Sequence, residues 1–276
     1  MLDKIIEKSP GKINLFLKII GKRKDGYHNI RTGITFINLY DEIIVQRHNK
    51  FEVLYFGKFS PENNIFDDCI IKKLFSFLKI EPPKLQFIIT KNFPFKAGLG
   101  SASSNVATVI KILENLELIK KRNIFDYVEL GADIPFFLNQ HDALIRGRGD
   151  LISNIFFPKY FFILIQPKFL CSTKVMYQSI DSLNLNYNTE FDLEEINDYD
   201  NGNDFEKILN KEEPEFVKLL NYLENVEGSI FTRLTGSGSC IFSVFETKKI
   251  ADKAKLIINK DFPNLWIETA ENNIIK

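Results

Sequence analysis

A run of small residues near the middle of the chain constrains the fold more than any other feature. Residues 97–105 read Ala-Gly-Leu-Gly-Ser-Ala-Ser-Ser-Asn, and an apolar run over residues 106–118 follows at helical spacing. Small side chains leave backbone amides open, and the first N–H groups of a helix have no acceptor within the helix. The stretch therefore predicts a loop and helix N-terminus that can bind an anion such as phosphate. Taken alone, an ordinary Gly/Ser turn that caps a helix remains an alternative.

The commoner phosphate loops do not fit this stretch. A Walker A loop has a lysine after its second glycine, whereas Ser101 follows Gly100. The dinucleotide pattern G-x-G-x-x-G requires a third glycine where Ser103 stands. The Gly-x-Ser-x-Gly elbow of serine hydrolases does not occur in the sequence either. Other segments must decide between an anion site and a simple turn.

Composition narrows the class of protein. The 276 residues are 45% apolar and 26% charged with a net charge of zero, which is typical of a soluble globular protein and gives no footprint of nucleic-acid binding. Three separated cysteines among apolar neighbours predict buried free thiols, and the three histidines show no metal-ligand spacing. Because no signal peptide or membrane-spanning run is recognisable, we expect a cytoplasmic protein with no membrane and no nucleic-acid partner.

The first half of the chain reads as a predominantly antiparallel sheet with helices. Runs of β-branched and aromatic residues flank Asp25-Gly26, a strong turn signal, and predict a hairpin or a long excursion between paired strands. A second hairpin is predicted from residues 43–45 and 51–56. Further elements are a helix from Asn64 to residue 78, a strand at 85–89, a helix at 103–119 and a short helix at 125–130.

The second half combines a polar stretch with a β-β-α-β order. Residues 181–203 are rich in Asn, Asp and Glu, and we interpret them as a mobile or lid-like connection. Strands are predicted at 143–145, 161–165, 231–234, 240–245 and 265–269, and helices at 204–210, 214–225 and 248–258. Helices on one face of an antiparallel sheet predict a two-layer α+β architecture in both halves. The proposed domains are residues 1–157 and 158–276.

The chain resembles the GHMP small-molecule kinases from about residue 8 to its end. Three segments have the order and spacing of the three motifs of that family: Ser9–Leu15, Ala97–Asn105 and Leu234–Cys240. The chain also resembles the branch that phosphorylates the 2-hydroxyl of a cytidine diphosphate-linked polyol in the non-mevalonate isoprenoid pathway. Four segments carry that resemblance: Lys12–Leu17, Asp25–His28, Gly131–Phe137 and Leu234–Gly238.

The resemblance implies a fold and a set of ligands. The expected fold class is GHMP kinase-like α+β, with an N-terminal ribosomal-protein-S5-domain-2-like domain that binds ATP and a C-terminal ferredoxin-like domain. The implied activity is transfer of a phosphoryl group from ATP, with Mg²⁺, to a small-molecule alcohol. We expect a monomer or weak homodimer. No carboxylate is marked as a magnesium ligand, so no metal residue is named.

The resemblance also implies a catalytic pair. Asp133 matches the family's catalytic aspartate, which accepts the proton of the attacking hydroxyl. Its alternative role is a helix N-cap, because Pro135 stands where a first-turn proline would. Lys12 matches the lysine beside that aspartate, where a cation favours the carboxylate and the developing alkoxide. The alternative for Lys12 is an exposed lysine at a strand edge.

The remaining expected site residues follow the same matches. Residues expected to bind ATP are Lys96, Ala97, Gly98, Leu99, Gly100, Ser101, Ala102, Ser103 and Ser104, with Asn64 as a looser match in the adenosine pocket. Residues expected to bind the substrate are Asn14, Tyr27, His28, Tyr177, Gly236, Ser237 and Gly238. Within the second set, Tyr27 and His28 match the pair that recognises cytosine, and Tyr177 matches an aromatic residue on the other face of the base.

The chain departs from the family loop at three positions. Ser101 and Ala102 occupy positions where glycine is frequent, and their β-carbons limit positive φ, so the loop conformation is expected to differ slightly. Lys96 also stands where glycine is common, and it either adds a positive charge near the phosphates or is simply solvated.

Two rival functions follow from the same residues. Another GHMP kinase, acting on homoserine, mevalonate or a sugar, would keep the glycine loop but lack the Tyr27-His28 pair. A catalytically silent nucleotide-binding protein could use the same scaffold, since function depends on the site and not on the fold. Retention of both Lys12 and Asp133 argues against the silent protein.

Overall fold

The computed structural model contains both strands and helices and describes residues 4–65, 69–183 and 202–273. The strands are Ile5–Lys22 (β1), His28–Arg47 (β2), Glu52–Phe56 (β3), Leu85–Thr90 (β4), Ala143–Gly147 (β5), Leu151–Asn154 (β6), Phe161–Gln166 (β7), Phe231–Leu234 (β8), Ile241–Phe245 (β9) and Trp266–Glu271 (β10). The helices are Ile70–Leu78 (α1), Ser101–Asn115 (α2), a 3₁₀ helix at Ile124–Tyr127, Ile134–Asn139 (α3), Thr173–Asp181 (α4), Glu206–Glu212 (α5), Pro214–Glu224 (α6) and Lys248–Asp261 (α7).

The chain divides into two compact units, each assembled from separate stretches of sequence. Unit 1 contains Met1–Gly11, Leu39–Phe95 and Gly100–His141. Unit 2 contains Lys12–Asn38, Lys96–Leu99 and Asp142–Lys276. The predicted boundary between residues 157 and 158 stays a prediction.

In unit 1, strand β4 lies between β3 and the second half of β2. It pairs in parallel with β3, from Glu52 opposite Gln86 onwards, and antiparallel with the stretch of β2 from Glu42 to Arg47. The predicted second hairpin is therefore wrong, because β2 and β3 are separated by β4. Helix α1 connects β3 to β4, and a strand–helix–strand unit of this kind joins parallel strands.

The helices of unit 1 bury one face each. In α1 the buried residues Ile71, Leu74 and Leu78 recur at helical spacing, and the helix ends at Lys79, which adopts a left-handed conformation. It begins at Ile70 and not at the predicted Asn64, whose backbone is in a left-handed turn with φ of 57°. Helix α2 packs against both α1 and α3. The expected short helix at 125–130 is the 3₁₀ helix.

Unit 2 contains a ferredoxin-like sheet. Its four strands lie in the order β10-β7-β9-β8, and every neighbouring pair is antiparallel. The order β7, helices, β8, β9, α7, β10 along the chain gives the βαββαβ arrangement expected from the family resemblance. The first half of β2 pairs with β5, and β5 with β6. Strand β6 and helix α4 are elements that the sequence patterns did not predict.

A single apolar cluster joins the helices of unit 2 to this sheet. Its fully buried members include Ile163, Ile165, Ile180, Phe205, Phe216, Leu223, Leu234, Ile241, Phe245 and Ile258. The free cysteines Cys69, Cys171 and Cys240 are buried, as predicted, and burial raises the pKa of the Cys171 thiol to about 11. None of the helices in the described ranges could span a bilayer.

The polar stretch predicted as a lid-like connection lies mostly outside the described residues. Residues 181–183 continue from α4, and Gly202 and Asn203 lead into α5. Residues 184–201 are not among those described.

Candidate active site

The small-residue loop ends in the N-terminus of α2. Gly98 and Gly100 both have φ of 72°, a left-handed conformation that glycine adopts without strain. A β-carbon on Gly98 would lie 2.3 Å from the carbonyl oxygen of Thr235, so no other residue fits there without backbone movement. Gly100 is the N-cap of α2 and has no side chain to occupy the first N–H groups. The local backbone is that of an anion-binding helix terminus.

The departures from the family loop have a structural explanation. Ser101 and Ala102 are already in the first turn of α2, where φ is negative, so their β-carbons do not strain the backbone. Lys96, in contrast, has φ of 55° at a position where glycine is common in the family. Its side chain is exposed, and its carbonyl oxygen accepts a hydrogen bond from the backbone N–H of Ser239 at 2.9 Å.

The remaining loop residues are fixed by their backbone. The carbonyl oxygen of Ala97 accepts a hydrogen bond from the N–H of Cys240, and that of Leu99 accepts one from the N–H of Lys12. Both side chains are buried. These two apolar side chains therefore help to set the loop conformation, and only the backbone of Ala97 and Leu99 carries polar groups.

A buried polar network, which sequence reasoning missed, supports the first turn of α2 in unit 1. The ammonium of Lys91 contacts the Asp41 carboxylate and the Ser101 hydroxyl, and it donates to the side-chain oxygen of Asn105 at 2.8 Å. Asp41 Oδ2 also accepts hydrogen bonds from Ser101 at 2.7 Å and from Asn105 at 3.0 Å. Burial lowers the pKa of Lys91, and the Asp41 carboxylate opposes that effect.

The two remaining serines of the loop lie on the same helix. Ser104 is buried, and its hydroxyl accepts a hydrogen bond from the Ser9 hydroxyl at 2.7 Å. Ser103 is partly exposed, and its oxygen lies 3.5 Å from where a β-carbon on Gly131 would stand. Ser103 is therefore the better placed of the two to bind a ligand, whereas Ser104 serves the packing of unit 1.

In unit 2, Lys12 is the centre of a second polar cluster. Only 3% of this residue is exposed, so the alternative of a solvated strand-edge lysine is wrong. Its ammonium donates to the side-chain oxygen of Asn14 and, at 2.8 Å, to the carbonyl oxygen of Gly98. Asn14 in turn donates to Thr32 Oγ1 at 2.8 Å. These hydrogen bonds hold the ammonium of Lys12 beside the backbone of the small-residue loop.

Asp133 stands directly before α3 in unit 1. It is the N-cap residue of that helix, and Pro135 lies in the first turn. Its side chain makes no capping hydrogen bond, and the residue is partly exposed. Asp133 therefore occupies the N-cap position, as the alternative expects, but its carboxylate does not make the capping hydrogen bond.

Three of the predicted substrate residues gather in unit 2. The His28 ring stacks on the Tyr177 ring with centroids 5.1 Å apart and an interplanar angle of 22°. Tyr177 also contacts Phe205 edge-on at 4.9 Å. Tyr27, which follows the turn, is 53% exposed, and the Arg148 guanidinium lies 5.4 Å from its ring centre. An exposed aromatic face beside a cation suits a planar base that carries phosphates.

Asp181 completes this cluster, and no sequence signal marked it. Its Oδ1 lies 2.9 Å from His28 Nε2, and its Oδ2 accepts a hydrogen bond from the Lys22 ammonium at 2.8 Å. The hydrogen bond from Lys22 is the main reason why the pKa of the Asp181 carboxyl is lowered, and the bond with His28 acts in the same direction. The carboxylate is therefore ionised at neutral pH.

The second glycine loop follows β8. Gly236 has φ of 57°, and a β-carbon there would lie 3.2 Å from both Lys12 Nζ and Asn14 Oδ1. The Ser237 hydroxyl lies 2.8 Å from the Thr173 hydroxyl. Asn203, which the sequence did not single out, donates from its amide to the carbonyl oxygens of Leu234 and Gly236.

The last predicted residues are Gly238 and Asn64. Gly238 has φ of 86°, and a β-carbon there would lie 3.0 Å from the sulfur of Cys171. Asn64 is in unit 1, where its carbonyl oxygen accepts a hydrogen bond from the N–H of Tyr55 at 2.8 Å. The contact with Cys171 explains why residue 238 is a glycine. The contact of Asn64 is a backbone hydrogen bond and does not point to a ligand.

Metal-ligating side chains are not concentrated anywhere in the described part of the chain, where no three His, Cys, Asp or Glu residues form a group that could hold an ion.

Comparison with known proteins identifies the group to which these features belong. Residues 68–140 match the model of the GHMP kinases N terminal domain, and residues 185–264 match that of the GHMP kinases C terminal. The 4-diphosphocytidyl-2-C-methyl-D-erythritol kinase of Pelagibacter ubique (strain HTCC1062) is 32% identical over 273 residues, covering 94% of this chain and 95% of the relative. The enzyme of that name from Syntrophus aciditrophicus (strain SB) is 34% identical over 280 residues, with 94% and 95% coverage.

A solved structure shows the same fold. The crystal structure of 4-(cytidine 5'-diphospho)-2C-methyl-D-erythritol kinase superposes with a TM-score of 0.77 at 23% sequence identity, and the match covers 98% of this chain and 100% of that one. At this level of identity the likeness supports the fold, while the sequence relatives carry the family.

Proposed function

Because the chain belongs to the 4-diphosphocytidyl-2-C-methyl-D-erythritol kinase family of GHMP kinases, we propose that it transfers the γ-phosphoryl group of ATP to the 2-hydroxyl of 4-diphosphocytidyl-2-C-methyl-D-erythritol. The chain is an ATP-dependent kinase of isoprenoid synthesis. The observation that carries the proposal is the shared identity of these relatives over nearly the whole length of both chains.

Phosphoryl transfer needs a base, a cation and a cradle for phosphates. We assign the base to Asp133, whose carboxylate makes no capping bond with α3. The hydroxyl of the substrate attacks the γ-phosphorus, its proton passes to Asp133, and ADP leaves with the electrons of the broken bond. Lys12 supplies the cation that stabilises negative charge on the attacking oxygen, and its burial strengthens that effect.

The phosphates of ATP are assigned to the backbone of residues 96–104, including Ser101, with the Ser103 hydroxyl as a side-chain donor; the Ser101 hydroxyl already donates to Asp41. Left-handed Gly98 and Gly100 support this assignment, because they expose backbone N–H groups at the start of α2. Mg²⁺, carried by ATP, would neutralise phosphate charge during the transfer. Asn64 is assigned to the adenosine pocket on the family match alone.

The cytidine end of the substrate is assigned to unit 2. The exposed ring of Tyr27, the stacked pair of His28 and Tyr177, and the nearby Arg148 support a site for a planar base with attached phosphates. Asn14 and the loop Gly236-Ser237-Gly238 are assigned to the polyol side of the substrate. We further propose that the enzyme acts in the cytoplasm on small molecules only, as a monomer or weak homodimer.

The sharpest test of the catalytic assignment is Asp133→Asn, which keeps the shape of the side chain and removes the base. We expect a folded protein that still binds ATP and the substrate, with turnover lower by about 10³-fold, within the range for loss of a general base. Asp126→Asn, an exposed carboxylate in the 3₁₀ helix of the same unit, is the matched control and should keep wild-type turnover. Near-normal turnover of folded Asp133→Asn would overturn the assignment.

A further inference from the structure

The contact between His28 and Asp181 bears on how the base of the substrate is read. The two large faces of the His28 ring cannot both meet a ligand, because one of them stacks on Tyr177 at 5.1 Å. His28 as a whole residue is only 7% exposed. The edge of the ring, where the two nitrogen atoms lie, is the part that can form hydrogen bonds with a base.

One edge nitrogen is committed to Asp181. The distance from His28 Nε2 to Asp181 Oδ1 is 2.9 Å, which is a hydrogen bond. The other carboxylate oxygen accepts a hydrogen bond from Lys22, and that bond helps to keep the carboxyl ionised. An ionised carboxylate can only accept, so Nε2 must carry the proton. In the neutral imidazole the second nitrogen, Nδ1, is then an acceptor.

We propose that Asp181 is a positioning residue for substrate specificity: it fixes the His28 tautomer so that Nδ1 accepts a hydrogen bond from the exocyclic amino group of cytosine. Uracil has a carbonyl oxygen at that position, which cannot donate, and two acceptors would then face each other. The inference rests on the proposed function, and it adds the residue that makes the site choose cytidine over uridine.

The test uses the asymmetry of an amide. In Asp181→Asn only one oxygen remains, and Lys22, which can only donate, competes for it. The amide nitrogen then faces His28 Nε2, which favours the tautomer with the proton on Nδ1. That tautomer donates to a uracil carbonyl and opposes the cytosine amino group. We expect the preference for cytidine over uridine to fall at least about tenfold, as for loss of one matched hydrogen bond.

Binding of cytidine 5'-diphosphate and of uridine 5'-diphosphate is measured by calorimetry, with the ATP site saturated by a non-hydrolysable ATP analogue. Lys22→Gln is the matched control, because it removes the ion pair of Asp181 and leaves the carboxylate for His28; its preference should stay at the wild-type value. With the complete substrate, Asp181→Asn should raise KM and leave kcat nearly unchanged. A purely structural role would affect both nucleotides equally.

The ¹⁵N shifts of the His28 ring report the tautomer directly, and His28→Gln identifies its signals among the three histidines. The wild type should show the proton on Nε2. A proton on Nδ1 in the wild type would overturn the inference even if Asp181→Asn failed to fold. An unchanged cytidine preference in folded Asp181→Asn would overturn this inference but leave the proposed function standing. Equal binding of both nucleotides by the wild type would overturn the proposed substrate as well.

Discussion

The buried pair of Asp41 and Lys91 should make Asp41→Asn one of the most damaging conservative changes in unit 1. Asp41 is fully buried, and only 8% of Lys91 is exposed. The substitution leaves the ammonium without its counter-charge and turns an amide donor towards Ser101 and Asn105. Breaking a buried ion pair in this way costs about 3–5 kcal/mol, against a total stability of about 5–15 kcal/mol for a typical protein.

The assay is unfolding in urea, monitored by circular dichroism. Lys91→Met should cost less than Asp41→Asn, because Asp41 keeps hydrogen bonds from the Asn92 N–H, Ser101 and Asn105. The double variant should then lose less than the sum of the single losses, with a coupling of at least about 1 kcal/mol. Additive losses below about 1 kcal/mol for each single variant would refute the reasoning.

The pH dependence gives this prediction a second readout. Without Asp41, burial lowers the folded-state pKa of Lys91 further below its ordinary value. The unfolded chain then binds more protons than the folded chain in the window between the two pKa values. The unfolding free energy of Asp41→Asn should therefore rise with pH, relative to the wild type, as the pH approaches the ordinary lysine pKa of about 10.4 from below, whereas a flat difference would contradict the account.

Two further predictions concern unit 2. Gly98→Ala places a β-carbon 2.3 Å from the Thr235 carbonyl oxygen. Its unfolding free energy, measured in urea, should therefore fall by more than the roughly 1–2 kcal/mol expected for a left-handed alanine alone. The control is Gly26→Ala, where φ is 86° and no atom lies within 4 Å of the added β-carbon, and it should lose only that smaller amount. Burial raises the pKa of Glu206 to about 7, although its hydrogen bond from the Leu234 N–H opposes the shift, so the folded chain holds this proton more tightly than the unfolded chain. The unfolding free energy of the wild type should therefore fall by up to about 3 kcal/mol between pH 4.5 and 8. A pH series of urea unfolding curves measures this slope, and Glu206→Gln should remove it. The same slope in Glu206→Gln as in the wild type would contradict the prediction.

The sequence was most informative where local chemistry determines structure. Gly98 and Gly100 are required by left-handed backbone and close approach, and the helix after them is visible from its apolar spacing. Motif order was enough to predict the ferredoxin-like sheet, although each motif alone is weak. Helix α4, which carries Tyr177, was missed because it is nine residues long and buries only Met176 and Ile180.

Long-range pairing was the least predictable part. A local reading placed β2 and β3 in one hairpin, and only the tertiary structure shows that β4 separates them. Asp41 and Lys91 lie 50 positions apart, and Asp181 lies 153 positions after His28. Such charged residues look like solvated surface in a sequence, because nothing local reveals that a partner will bury or orient them.

The measurement that tests the central claim most directly is release of ADP from ATP by the purified protein with Mg²⁺ and one of three alcohols: 4-diphosphocytidyl-2-C-methyl-D-erythritol, mevalonate or homoserine. The account predicts turnover with the cytidine compound alone. Turnover with mevalonate or homoserine, or ATP binding without turnover of any of the three, would contradict it.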